Sequence, residues 1–246
     1  CISEICSMIF KDVHVLVTGG TRGIGKAISQ KLLREGAHIV ITGTKNKENG
    51  WWNEFENCTF STVDFLDELS VSDFCNYIKE NSFSCLVNNA GIFSNSDKID
   101  GLTSFDSVHK VNVSAVHSVT SAFACGSSEN ITPRVVNISS IAAFVTREGV
   151  ASYASSKASL NGLTRAHALD FAKKGILVNA ICPSFTDTDM LKSLSLEKQN
   201  ELLQLVPLGR FCNANEIAEL ACFLLSNDNT YMTGQTLVID GGVTIQ

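Results

Sequence analysis

The sequence predicts an α/β fold, a doubly wound parallel sheet of about seven strands with helices on both faces. Three observations carry that prediction. Apolar runs of strand length alternate with helix-length segments along the chain. The first run leads through a glycine-rich turn straight into a helical pattern. Only three prolines interrupt the 246 residues, and no repeat, low-complexity tract or linker divides them. Residues 1–246 therefore read as a single domain, large enough to bury a sizeable core.

In order, the first strand is Val13 to Thr18, and the helix after the glycine turn runs from about Ile24 to Glu35. Ala37 to Thr42 is the second strand, and Cys58 to Val63 a third with a weaker pattern. Trp51 and Trp52 lie between these two, in a shortened helical segment. Packing against the sheet is the expected use of their rings, ahead of an adenine or partner contact. Ser84 to Asn88 and Arg134 to Ser139 are further strands, each preceded by a helix-length segment. A long helix from Ser152 to Lys173 feeds the strand Ile176 to Ile181. A helix over Ala214 to Leu225 and a last strand, Thr236 to Ile239, close the pattern. Ala154, Ala158, Gly162 and Ala166 recur every four residues on the long helix, where they would let the sheet or a second subunit approach closely. Right-handed crossovers place the ligand crevice at the carboxyl ends of the strands, just after Val17, Val87, Ile138 and Ile181.

Composition narrows the function classes. Hydrophobic residues are 44% and charged residues 18%, a globular balance. Nineteen Lys+Arg against 25 Asp+Glu give a net charge of -6, which provides no electrostatic footprint for nucleic acid or an anionic membrane. No stretch approaches the ~20 apolar residues that span a bilayer. Cys1 to Phe10 contains an acid and no basic region, so it does not read as a signal peptide, and a first residue other than Met suggests that Cys1 is not the native start. The nine cysteines are scattered with no C-x-x-C pair, several of them in apolar surroundings, which fits free thiols in a reducing cytoplasm. The five histidines show no ligand spacing, and no metal site is expected.

Three motifs carry chemistry. Thr18-Gly19-Gly20-Thr21-Arg22-Gly23-Ile24-Gly25 lies between a strand and a helix. Its glycines let the backbone approach a pyrophosphate, and the helix N-terminus offers N–H groups and partial positive charge. A plain strand-to-helix turn is the alternative. The second strand ends Ile41-Thr42-Gly43-Thr44-Lys45, without the acid that would hold a ribose 2′-hydroxyl. With Arg22, Lys45 and Lys47 nearby, a 2′-phosphate is favoured over a free hydroxyl, hence NADP(H) over NAD(H); a solvated loop is the alternative for the two lysines. Tyr153 and Lys157 share a helix face four residues apart, so the ammonium is expected to pull the phenol pKa down toward the working range of a proton donor. Y-x-x-x-K also arises by chance as a surface pair.

Together these residues resemble the short-chain dehydrogenase/reductase family over nearly the whole chain. The matching residues are the glycine turn, Asn88-Asn89-Ala90-Gly91, Asn112, Ser139-Ser140, Tyr153 with Lys157, and Pro183 through Thr188. Within the family the chain is most similar to the 3-oxoacyl-(acyl-carrier-protein) reductases, in Asp187-Thr188-Asp189-Met190, Val206-Pro207-Leu208-Gly209-Arg210 and Tyr231-Met232-Thr233-Gly234-Gln235-Thr236.

The resemblance implies a Rossmann-type fold and a set of roles. Ser140, thirteen residues before the tyrosine, would stabilise charge on the substrate oxygen. Tyr153 would be the general acid, Lys157 would lower its pKa and bind the nicotinamide ribose, and Asn112 would hold a water that links Lys157 to solvent. Gly19, Thr21, Arg22, Gly23, Ile24 and Gly25 would meet the phosphates, with Thr44 and Arg22 at the 2′-phosphate. Asp64 and Phe65 would flank the adenine, and Asn89, Ala90 and Gly91 would line the adenosine ribose. Pro183, Thr186 and Thr188 would contact the nicotinamide half, beside Tyr153 and Lys157. The family is usually tetrameric, so a homotetramer or homodimer is expected.

Two departures stand out. The family's Pro-Gly is Pro183-Ser184 here, which would be strained if that position needs positive φ. The basic cluster of the acyl-carrier reductases is replaced by Cys125-Gly126-Ser127-Ser128-Glu129-Asn130-Ile131-Thr132, which puts carrier-protein docking in doubt; Lys173 and Lys174 are the remaining basic candidates. A sugar, polyol or other secondary-alcohol dehydrogenase is the second reading, because Ile92 to Ile99, Ile141 to Ala151 and Leu191 to Val206 show no readable substrate specificity. A non-catalytic NADP-sensing protein is the third; such proteins usually lose part of the Asn-Ser-Tyr-Lys set, which this chain retains.

Overall fold

The chain alternates strands and helices because its apolar residues change period from two to near four between turn residues. The computed structural model describes residues 8–45, 50–93, 102–127 and 132–246. The readings of Cys1, Cys6, Lys47, 94–99 and 128–131 lie outside the described residues.

Seven parallel strands form the sheet: β1 His14–Val17, β2 His38–Gly43, β3 Cys58–Thr62, β4 Cys85–Asn88, β5 Arg134–Ile138, β6 Leu177–Pro183 and β7 Thr236–Ile239. Their order is β3-β2-β1-β4-β5-β6-β7. The winding reverses between β1 and β4, which is where a doubly wound sheet opens its ligand crevice.

Alternation along the strands divides two cores. Val15 and Val17 of β1 pack with Ile28, Leu32 and Leu33 of α1 (Gly23–Arg34) and with Ile217, Ala221 and Leu225 of the last helix (Ala214–Leu225). Leu16 points the other way, toward Phe74 and Ile78 of α2 (Glu68–Glu80) and Val119 and Phe123 of the helix Val116–Gly126. Helices therefore cover both faces.

Between β4 and β5 the chain runs through α3 (Leu102–His109), a wide π-helical segment Lys110–Ala115, and α4 (Val116–Gly126). The long helix α5 spans Ala151–Phe171, ends in a short 3-10 turn and is capped by Gly175 at φ 72°. Two short helices, α6 (Asp189–Lys192) and α7 (Leu196–Gln204), precede α8 (Ala214–Leu225). The buried row of α5 includes Lys157, Leu160, Asn161, Thr164 and His167. Ala158 and Ala166 are exposed, so the small-residue repeat faces away from the sheet.

A buried polar ladder keys α4 and α5 to the sheet centre. Asn88 of β4 donates to Thr120 Oγ1 of α4 (2.9 Å) and to Asn137 Oδ1 of β5 (2.8 Å). Asn137 in turn donates to Thr164 Oγ1 of α5 at 2.8 Å. All four residues are buried. A buried amide without these partners would cost about 1–3 kcal/mol, so the ladder fixes the helices strongly.

The Trp51–Trp52 expectation holds for both rings. Both sit in a 3-10 turn, Trp51–Glu54. Trp52 is buried and stacks on Phe60 of β3, as expected. Trp51 is half-buried against the same core and also reaches the glycine turn.

Candidate functional site

The glycine turn is held from three sides. Gly19 N–H donates to Thr42 Oγ1 (3.1 Å) and Gly20 N–H to the Thr42 carbonyl (3.2 Å), which tie its first half to β2. Thr18 Oγ1 accepts the N–H groups of Asn89 and Ala90, both at 3.0 Å. Asn89 Nδ2 returns bonds to the Thr18 and Gly19 carbonyls, each at 3.0 Å. The turn after β1 and the turn after β4 are thus one unit. Gly19 sits at φ 66°, and a Cβ there would lie 2.9 Å from Ala90 Cα. At Gly25 a Cβ would lie 2.4 Å from both Asn89 Nδ2 and the Gly19 carbonyl. Helix α1 starts with no side-chain cap and no acid in its first turn, so its positive end is not neutralised locally. Arg22 and Thr44 are exposed. Thr188 faces the turn from the opposite lip, its Cγ2 3.5 Å from the Cβ position of Gly23.

Beyond β3, Asp64 is exposed and accepts the Leu66 N–H at 2.9 Å. Phe65 is buried, its ring edge-on to Phe74.

Ser140, Tyr153 and Lys157 converge after β5. Ser140 caps the 3-10 turn Ile141–Ala143 by accepting the Ala142 N–H (3.1 Å), and its hydroxyl is a neighbour of the Tyr153 phenol. Ser139 points inward and donates to the Lys157 carbonyl at 3.2 Å. Lys157 is buried, donates from Nζ to the Ile138 carbonyl (2.8 Å), and lies 5.6 Å from the Tyr153 ring centroid. Phe93 meets that ring edge-to-face at 5.0 Å.

Electrostatics here depart from the spacing argument. Burial lowers the Lys157 ammonium to about 8, because the low-dielectric site disfavours its charge. Burial likewise raises the Tyr153 phenol, and the neighbouring Ser140 hydroxyl only partly opposes that rise. The expected fall in the tyrosine pKa is therefore absent from this structure, since desolvation sets the direction.

Asn112 lies in the π-helical segment and is buried. Its Oδ1 accepts the Ile92 N–H (2.9 Å), while Nδ2 donates to the Ile92 carbonyl and to Ser156 Oγ, each at 3.0 Å. Gly91 runs beside it: a Cβ there would be 3.2 Å from Asn112 Oδ1 and 3.6 Å from Lys157 Nζ.

After β6, the Ser184 hydroxyl donates to the Asp240 carbonyl at 3.1 Å. Asp12 is the non-glycine residue with positive φ among those described, so Ser184 is unstrained and the substitution for glycine is tolerated. Thr186 is buried and donates to the Ser184 carbonyl (3.0 Å).

A family model described as enoyl-(acyl carrier protein) reductase matches residues 19–244. The 3-oxoacyl-[acyl-carrier-protein] reductase of Aquifex aeolicus is 35% identical over 239 residues, 93% of this chain and 96% of that protein. A short-chain dehydrogenase of Burkholderia cenocepacia, solved in complex with NADP, superposes with a TM-score of 0.87 at 32% identity over 95% of this chain and 98% of its own. A candidate NAD(P)-dependent gluconate 5-dehydrogenase of Beutenbergia cavernae, with NADP bound at low occupancy, gives a TM-score of 0.90 at 27% identity over 98% of this chain and all of its own.

The chain belongs to the short-chain dehydrogenase/reductase family. As a member it is an oxidoreductase, and the glycine turn, Asn89–Gly91, Ser140, Tyr153, Lys157 and Thr188 all open on the carboxyl end of its sheet. Sequence reasoning passed over Thr18 as a hub, although it stands in the quoted turn. It also passed over Thr42, Asn137, Thr164 and Phe93, whose partners lie far away in the chain. Among the described residues, no group of three or more His, Cys, Asp or Glu could hold a metal, and no helix is long and apolar enough to cross a membrane.

Proposed function

We propose that this chain is an NADP(H)-dependent reductase of a carbonyl, and that its substrate is a 3-oxoacyl thioester. The observation that carries the reading is the Ser140–Tyr153 hydroxyl pair with Lys157 buried beside it.

The residues fit a dinucleotide. The glycine turn leaves a cradle where side chains would clash, and α1 offers an uncapped positive end. Gly19, Thr21, Gly23, Ile24 and Gly25 would hold the pyrophosphate, and Arg22 with Thr44 the 2′-phosphate. Asn89, Ala90 and Gly91, with Asp64 and the Phe65 backbone, would hold the adenosine. Pro183, Thr186 and Thr188 would hold the nicotinamide half. When bound, the dinucleotide supplies the hydride.

The remaining chemistry belongs to the side chains. The Ser140 and Tyr153 hydroxyls both hydrogen-bond the substrate oxygen, and Tyr153 gives its proton as negative charge develops there. Its raised pKa keeps the phenol protonated and ready to donate at neutral pH. Lys157 then faces the nascent phenolate, whose charge restores the ammonium that burial disfavours. Asn112 acts on this proton route by position, clamping Ile92 against α5.

The relative from Aquifex aeolicus supports the thioester reading and a place in fatty acid synthesis. The family model's description names reduction of a carbon–carbon double bond, but a serine hydroxyl beside a tyrosine phenol suits an oxygen that gains charge. The gluconate-dehydrogenase neighbour favours a polyol substrate as the second reading. Lys174 donates to the Ala124 carbonyl (3.0 Å), so it is partly engaged and adds little to a carrier-protein dock. The outward small-residue face of α5 suits a subunit contact in a homodimer or homotetramer.

The test follows absorbance at 340 nm, with NADPH and NADH against acetoacetyl-CoA and ketones, and with NADP+ and NAD+ against gluconate-type polyols. Turnover of the thioester with NADPH is expected. Tyr153→Phe should lower kcat by about 10²- to 10⁴-fold, the range for a lost general acid, with NADPH binding kept. Polyol turnover with an inert thioester would replace the substrate assignment, and full activity of Tyr153→Phe would overturn the mechanism.

A further inference from the structure

The two tryptophans beside the glycine turn face different partners. Trp52 closes the core: its ring stacks on Phe60 with centroids 4.8 Å apart, and a Cβ on Gly50 would fall 2.3 Å from it. Trp51 stands perpendicular to Trp52 and to Phe55, each at 6.1 Å. Its Nε1–H donates to the Thr21 carbonyl at 3.1 Å, and Lys26 Nζ of α1 lies 6.0 Å from its ring centroid. An aromatic column thus runs from β3 to the outer end of the glycine turn.

That position is selective. The inner half of the turn is tied to Thr42 through Gly19 and Gly20, with no help from Trp51. The outer half contains Thr21, whose carbonyl belongs to the same peptide unit as the Arg22 N–H. Arg22 is extended (φ -154°, ψ 172°), exposed, and without an ion pair among the described residues. Its direction therefore depends on the peptide plane that Trp51 grips.

We propose that Trp51 is a positioning residue for cofactor choice: by holding the Thr21 carbonyl it aims Arg22 at the 2′-phosphate of NADPH. The inference rests on the NADP(H) reading above. It predicts that losing the indole N–H weakens NADPH more than NADH, because the pyrophosphate half of the turn is anchored independently.

Isothermal titration with NADPH and NADH tests it on wild type, Trp51→Phe, Trp52→Phe and Arg22→Ala. Trp51→Phe should raise Kd for NADPH about two- to tenfold, the size of one hydrogen bond, and leave NADH nearly unchanged. In the Arg22→Ala background the same change should add nothing, since the side chain being aimed is gone. Trp52→Phe should leave the NADPH/NADH ratio alone. Equal loss for both cofactors, no loss, full additivity with Arg22→Ala, or a matching shift in Trp52→Phe would each overturn the proposal. Wild type that binds NADPH tightly while Trp51→Phe is unaffected sinks this inference alone; wild type that binds neither cofactor sinks the functional reading with it. Should Trp51→Phe not fold, Trp52→Phe leaves Trp51 as the single tryptophan. Its emission should then respond to 2′,5′-ADP and far less to 5′-AMP, and equal responses would overturn the proposal.

Discussion

Gly25 shows how one missing side chain can organise a crevice. Its α-carbon faces the Asn89 amide and the Gly19 carbonyl at a distance that admits no methyl group. The obstacle is backbone on one side and a doubly bonded amide on the other, so neither can swing away. Gly25→Ala is expected to cost about 1–3 kcal/mol, as overpacking does, and to abolish detectable NADPH binding. Chemical denaturation with titration calorimetry checks both; a variant of native stability and affinity would contradict the close packing. The glycine positions themselves are legible from the turn pattern. The fate of Tyr153 and Lys157 is only half legible: four-residue spacing reveals that a cation is near a phenol, but burial is a tertiary property, and here it sets both pKa directions.

Helix α5 carries more than the reacting groups. Near its far end, His167 is buried against His117 of α4, Nε2 to Nδ1 at 2.9 Å, with Phe171 stacked on its ring. Burial, reinforced by His117 and partly opposed by Asp170, lowers His167 to about 4 from its ordinary 6.5. The unfolded chain thus takes up a proton that the folded one refuses as pH falls from 6.5 to 4. Stability should drop across that window by on the order of 3 kcal/mol and be unaffected by this group above it. His167→Gln should flatten that part of the profile, as seen in denaturation midpoints at pH 4, 5 and 6.5; an unchanged slope would show that the pair contributes nothing. Strands and long helices were readable because apolar periodicity and turn residues mark them locally. The π-helical segment around Asn112 and the use of Trp51 were not, since the indole's partner is thirty residues away in sequence.

At the scale of the whole molecule, thiol chemistry follows the layering of the fold. Seven described cysteines are free, and Cys125 is the exposed one. Burial raises Cys85 and Cys222 to about 12, and Cys58 and Cys212 to about 11. Iodoacetamide at pH 8 should therefore label Cys125 first and leave Cys85 and Cys222 intact until unfolding, because the thiolate is the reactive form. Peptide mapping by mass spectrometry checks the order; early labelling of Cys85 would mean that the sheet opens in the native state. The doubly wound topology was legible from strand alternation. Substrate identity was not, because segments such as 141–151 and 191–206, even where α7 forms, take the shape of a pocket only from what they pack against.

The Asn88–Asn137–Thr164 ladder acts like a keyway cut through the molecule. Rolling α5 about its axis would strand an amide where no water can reach it, so the helix has one permitted azimuth. Tyr153 and Lys157 ride on that shaft, so one azimuth places both. Mutations that loosen the key should then misplace both groups together without touching either residue.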